Sequence, residues 1–82
     1  MFTQADLDVA NDSLEQSASY VQRQKEIIEL LADNPEFQSL AKDVLAELQA
    51  TFERRLRYRD GIKALMEAEC AAAKAADRFA AS

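Results

Sequence analysis

Histidine and tryptophan are absent from this chain of 82 residues, and glycine, proline and cysteine occur once each. Each shortage removes a class of chemistry. Without histidine, neither a Ser–His nor a Cys–His pair can activate a nucleophile. One cysteine and no histidine fall short of the usual ligand set of a structural zinc site. The Glu-x-x-His pattern of carboxylate-rich di-metal bundles is missing for the same reason. With one glycine there is no glycine-rich loop to cradle a phosphate. No enzymatic activity, cofactor or metal is expected.

The chain also lacks long apolar runs. No stretch approaches the ~18 consecutive apolar residues of a membrane span, so no membrane association is expected. The opening residues Met1–Asp6 have no basic region and no apolar stretch, and do not read as a secretory signal. Cys70 has no second cysteine to pair with inside the chain, and a reducing cytoplasm is the simplest setting. The net charge of −5 and a pI near 4.6 argue against nucleic acid or an anionic membrane as the partner of the whole chain.

What remains is helix. Asp33-Asn34-Pro35 is the one strong break. Pro35 has no N–H to donate and pushes Asn34 out of the α region. The chain therefore reads as a single domain over residues 1–82, an all-α antiparallel two-helix hairpin. Its first helix covers about residues 4–32 and its second about 35–78. Thr3 suits the N-cap of the first helix, with Asp6 completing a weaker form of the capping box and Phe2 and Leu7 at the positions of a hydrophobic staple. Asn34 caps the second helix and Pro35 suits its first position.

The first helix carries Leu7, Leu14, Val21 and Ile28 at a spacing of seven, alternating with Ala10, Ser17, Gln24 and Leu31. This is a coiled-coil a/d pattern with large residues at one position and mostly small or polar ones at the other. Tyr20 and Ile27 form a flank beside it. The second helix carries a stripe through Phe37, Leu40, Val44, Leu45, Leu48, Phe52, Leu56, Ile62, Leu65 and Met66, continuing to Cys70. Gly61 interrupts the pattern without shifting its phase, so the helix is expected to run on. On that stripe Cys70 reads as a packing residue. Folding about Asn34 brings Phe52 to Ser17, Leu56 to Leu14 and Ile62 to Leu7. The segment 68–81 then overhangs. Its alanines favour helix but bury little, so it reads as a fraying tail or as a small-residue seam.

The sharpest local feature is Arg54-Arg55-Leu56-Arg57-Tyr58-Arg59. Its arginines and Tyr58 are the candidate partner-binding residues, suited to an anionic partner, nucleic acid included. The hairpin also sets this run beside Asp6, Asp8, Asp12 and Glu15. Charge pairing between the helices is therefore the leading expectation, with Arg55 and Arg59 laying their stems along the apolar stripe.

The stretch Val21-Gln-Arg-Gln-Lys-Glu-Ile-Ile-Glu-Leu-Leu31, followed by a break and a second helix with Leu45, Phe52, Leu56, Arg59 and Ile62, resembles small uncharacterised bacterial helical-hairpin proteins. The likeness covers roughly residues 7–65 and departs from the family in lacking flanking histidines and in its Asn-Pro break. It implies a bacterial cytoplasmic hairpin. Two helices alone make a marginal core, so association of two copies into a four-helix bundle is expected. The leading expectation for function is a self-associating, non-catalytic interaction or scaffolding module. The alternatives are a small regulator binding nucleic acid or another anionic partner through Arg54–Arg59, and an acidic, chaperone-like dimer for a co-encoded protein.

Overall fold

The computed structural model describes the backbone of residues 1–81 and the side chains of residues 1–76. Two helices, α1 (Gln4–Leu30) and α2 (Pro35–Ala81), pack against each other as an antiparallel pair. No strand occurs among the described residues. The molecule measures 72 × 16 × 15 Å, and its length is that of α2 alone.

Local sequence sets the ends of α1. Thr3 adopts an extended conformation at the N-cap, and its hydroxyl accepts the Asp6 backbone N–H at 3.3 Å. In return the Asp6 carboxylate accepts the Thr3 backbone N–H at 2.8 Å and the Thr3 hydroxyl at 3.1 Å. The capping box is closed in both directions, and the helix starts here. Phe2 leaves the helix end toward α2, where its ring meets Tyr58 edge-on with centroids 6.3 Å apart.

The turn needs no glycine and no positive φ. The Leu31 N–H donates to the Ile27 and Ile28 carbonyls, Ala32 N–H to Glu29, and Asn34 N–H to Leu31 at 2.9 Å. Gln38 reaches back from α2 and donates its side-chain amide to the Ile28 carbonyl at 3.1 Å. The Ile27, Ile28 and Glu29 carbonyls at the end of α1 are thus satisfied by the turn and by the opposite helix. Asn34 caps α2, its side-chain oxygen accepting the Phe37 N–H at 3.4 Å, and Pro35 occupies the first helical position.

The line of contact differs from the expected one in a specific way. The large residues Leu7, Leu14, Val21 and Ile28 are only half-buried. Among the described residues the buried ones are Ala10, Ser17, Ala41 and Ile62. Small side chains therefore lie on the axis of the seam and the large ones lean out to its sides. Leu48, Phe52 and Leu56 of α2 are likewise half-buried, and Ile62, at 2% exposure, is the one large side chain fully enclosed among the described residues.

Helix α2 passes through Gly61 without interruption and extends to Ala81, past the expected end near residue 78. Residues 68–76 are helical and wholly exposed. The backbone of this overhang is helical as far as Ala81, and the side chains beyond residue 76 lie outside the described residues. Cys70 is exposed beyond the reach of α1, so the packing role expected for it is not filled within the hairpin.

The capping box makes a pH prediction. The Thr3 backbone N–H, aided by the Thr3 hydroxyl, holds Asp6 below its ordinary carboxylate value. A lowered folded-state pKa contributes stability above the unfolded value, and that contribution is lost as pH falls through the folded value. Amide hydrogen exchange at residues 4–7 is expected to accelerate as pH drops below the usual carboxylate range, beyond the intrinsic trend. Asp6→Asn should remove that dependence. A first turn equally protected in both proteins across the acid range would contradict it.

Candidate partner-binding face

The arginine run does not form one surface. A step of four residues keeps one helix face, so Arg55 and Arg59 share a side and turn toward α1. Arg55 donates from one guanidinium nitrogen to the buried Ser17 hydroxyl at 2.6 Å and to the Ser13 carbonyl at 3.2 Å. Arg59 donates to the Asn11 side-chain oxygen at 3.3 Å. Both arginines are half-buried. The remaining members of the run stay outside: Arg54 donates to Thr51 on its own helix at 3.1 Å, Arg57 is exposed, and Tyr58 is 60% exposed.

Two expectations are corrected here. Ser17, at 4% exposure, takes the guanidinium of Arg55 as its hydrogen-bond partner rather than simply facing the ring of Phe52. Nor do the acids of α1 pair with the arginines. The one ion pair among the described residues is Arg59 with its chain neighbour Asp60, at 2.8 Å. The physical reason lies in angle. Asp8, Asp12 and Glu15 point away from the seam, whereas Arg55 and Arg59 point into it, where hydroxyl, amide and carbonyl oxygens accept their protons. Gln24 makes the matching contact nearer the turn, donating to the Ala41 carbonyl at 2.8 Å. Hydrogen bonds between side chain and opposing backbone fix the antiparallel register.

The surface signal lies elsewhere. On α2 the seam follows the rows Gln38/Leu45/Phe52/Arg59 and Ala41/Leu48/Arg55/Ile62. One residue earlier in each row, about 100° round the helix, come Phe37/Val44/Thr51/Tyr58/Leu65 and Leu40/Glu47/Arg54/Gly61. On α1 the same one-residue shift gives Asp6/Ser13/Tyr20/Ile27 and Val9/Gln16/Arg23/Leu30. Apart from Met1, every large exposed hydrophobic residue among the described ones, from Val9 to Leu65, belongs to these shifted rows. In an antiparallel pair the two sets lie on one side. A groove lined by Asp6, Val9, Ser13, Arg55 and Tyr58 shows them meeting there. The opposite groove runs along Ala18, Lys25, Gln49 and Glu53, with Val21, Phe52 and Leu56 at its floor. One face therefore carries the large exposed apolar side chains, interspersed with Asp6, Gln16, Arg23, Glu47 and Arg54, and the other is largely polar at its rim.

No family model, curated protein or solved structure matches the chain. The functional reading thus rests on this geometry. Among the described residues no group of three or more acidic or thiol side chains is arranged to hold a metal ion, and no helix is long and apolar enough to cross a membrane.

Sequence reading assigned Phe37, Leu40, Val44 and Leu65 to the seam, whereas all four are exposed. The signal that separates them was present: two pairs of heptad rows, offset by one residue, mean two contact lines rather than one wide stripe.

The Arg55–Ser17 contact can be measured directly. Arg55→Leu leaves the buried Ser17 hydroxyl without its donor and is expected to cost about 1–3 kcal/mol in denaturant unfolding. Adding Ser17→Ala should recover part of that loss, while Arg57→Gln should change stability by less than about 0.5 kcal/mol. Additive losses at positions 55 and 17 would contradict the coupling.

Proposed function

We propose that this protein is a non-catalytic protein–protein interaction or scaffolding module that works as a homodimer in the bacterial cytoplasm. In this reading two hairpins join through their apolar faces into a four-helix bundle. The observation that carries it is the segregation of nearly all exposed large apolar side chains onto one side of the hairpin. Surface area supports the same reading. The chain exposes 6411 Å², whereas a compact monomer of its mass exposes about 4,900 Å². The excess, about 1,500 Å², comfortably exceeds the ~800 Å² that each partner buries in a standard stable interface. A face that gathers large exposed apolar side chains is the mark of an interaction site.

The nucleic-acid alternative draws less support, because two of its four arginines are occupied within the seam. An exclusive complex with a different protein would use the same apolar face.

Light scattering coupled to size exclusion at micromolar concentration tests the proposal. The expected mass is twice the chain's 9.2 kDa, and Leu40→Glu, which sets a charge on the apolar face, should return it to that of one chain with helicity reduced. A wild-type protein with the mass of a single chain would overturn the homodimer.

A further inference from the structure

The shifted rows also carry orientation, and the inference drawn from them rests on the homodimer proposed above. The geometry points to a two-fold dimer whose hairpin turns lie at opposite ends, with α2 against α2 and α1 against α1 of a second copy.

Consider first α2. Its shifted rows alternate as Phe37, Leu40, Val44, Glu47, Thr51, Arg54, Tyr58, Gly61, Leu65 and Ala68, which is a second a/d pattern. Laid antiparallel on a copy of itself about a point between Phe52 and Glu53, the pattern matches large to small. Phe37 meets Ala68, Val44 meets Gly61, and Leu40 meets Leu65. The polar residues also pair, with Glu47 reaching the Tyr58 hydroxyl and Thr51 beside Arg54. Gly61 is the telling position. Glycine is among the weakest helix formers, yet a Cβ built there meets nothing within 4 Å beyond the helix's own backbone. Nothing within one chain requires glycine at this place. A partner's Val44 seated over it does.

Helix α1 gives an independent answer. Its shifted rows, laid antiparallel about a point between Leu14 and Glu15, set Val9 against Tyr20 and Asp6 against Arg23, opposite charges in each of the two symmetric pairs. The hydrogen bonds from Arg55 to Ser13 and Ser17 hold these two midpoints at nearly the same height along the hairpin. One axis therefore serves both helices, although the two patterns were aligned separately.

The other two-fold arrangement, with turns at the same end, lays α2 over the partner's α1. It sets Val44 against Arg23 and leaves Gly61 facing Asp6, and the exposed segment 68–76 finds no part of the partner hairpin. With turns at opposite ends that segment extends over the partner's turn, where Leu30 and Phe37 are exposed.

The single Cys70, exposed and outside the proposed contact rows, reports the orientation without altering the interface. Labelled with a nitroxide, the two copies in the dimer lie 35 residue steps apart along the bundle in this arrangement, about 50 Å at 1.5 Å per residue. Pulsed dipolar spectroscopy should give one distance near that value. A distance under about 25 Å, which turns at the same end would produce, overturns the orientation while leaving the homodimer intact. A single-chain mass by light scattering overturns both. Gly61→Leu provides the second check. It should retain helicity yet weaken dimerisation at least tenfold, and an unchanged dimerisation constant would remove Val44 from that site.

Discussion

The structure depends on a seam whose axis is made of small side chains. Ala10, Ser17 and Ala41 occupy the line where α1 and α2 meet, and only Ile62 fills it with a large group. A small-residue axis lets two helices lie close. It also leaves the leucines and aromatics nowhere to go but the sides. A side chain that is half-buried recovers only part of the roughly 1.5–3 kcal/mol available from full burial. The hairpin is thus held in register well and stabilised modestly, while a second set of large apolar residues, from Val9 to Leu65, stays exposed on one face.

Register comes from polar contacts distributed along the seam. Gln38 and Gln24 tie the turn-proximal half to opposing backbone carbonyls; toward the open end Arg55 reaches the Ser13 carbonyl and Arg59 the Asn11 side-chain oxygen. Each of these long side chains covers apolar surface with its stem while its head finds an acceptor. Buried donors left unmade are costly, so a slipped register would lose several of them at once. The same contacts remove Arg55 and Arg59 from the outer surface. What looks in sequence like a basic patch is, in the fold, half seam and half surface.

The hairpin and its turn were legible in the sequence because the signals are local. Asn34-Pro35 can do little else than end one helix and start another, and Thr3 with Asp6 names its own cap. The heptad of Leu7, Leu14, Val21 and Ile28 located the seam. What was not legible was which residues of α2 face α1. A helix with two contact lines about 100° apart produces one broad apolar stripe, and spacing alone does not say which row is which. The acid–arginine pairing failed for a related reason. Charge totals at one height along a hairpin carry no angular information, and Asp8, Asp12 and Glu15 point away from the guanidinium groups they were expected to meet. Cys70 looked like a packing residue because it stays in phase with the stripe, but α1 ends before reaching it.

If the seam is too slight to hold the hairpin alone, folding and association are a single process. The concentration dependence of thermal unfolding, followed by circular dichroism over a hundredfold dilution, tests this most directly. Mass action makes the midpoint of a folded dimer rise with concentration. The account gives a melting temperature that climbs steadily with protein concentration, and a midpoint independent of concentration, with helicity intact at the lowest dilution, would contradict it.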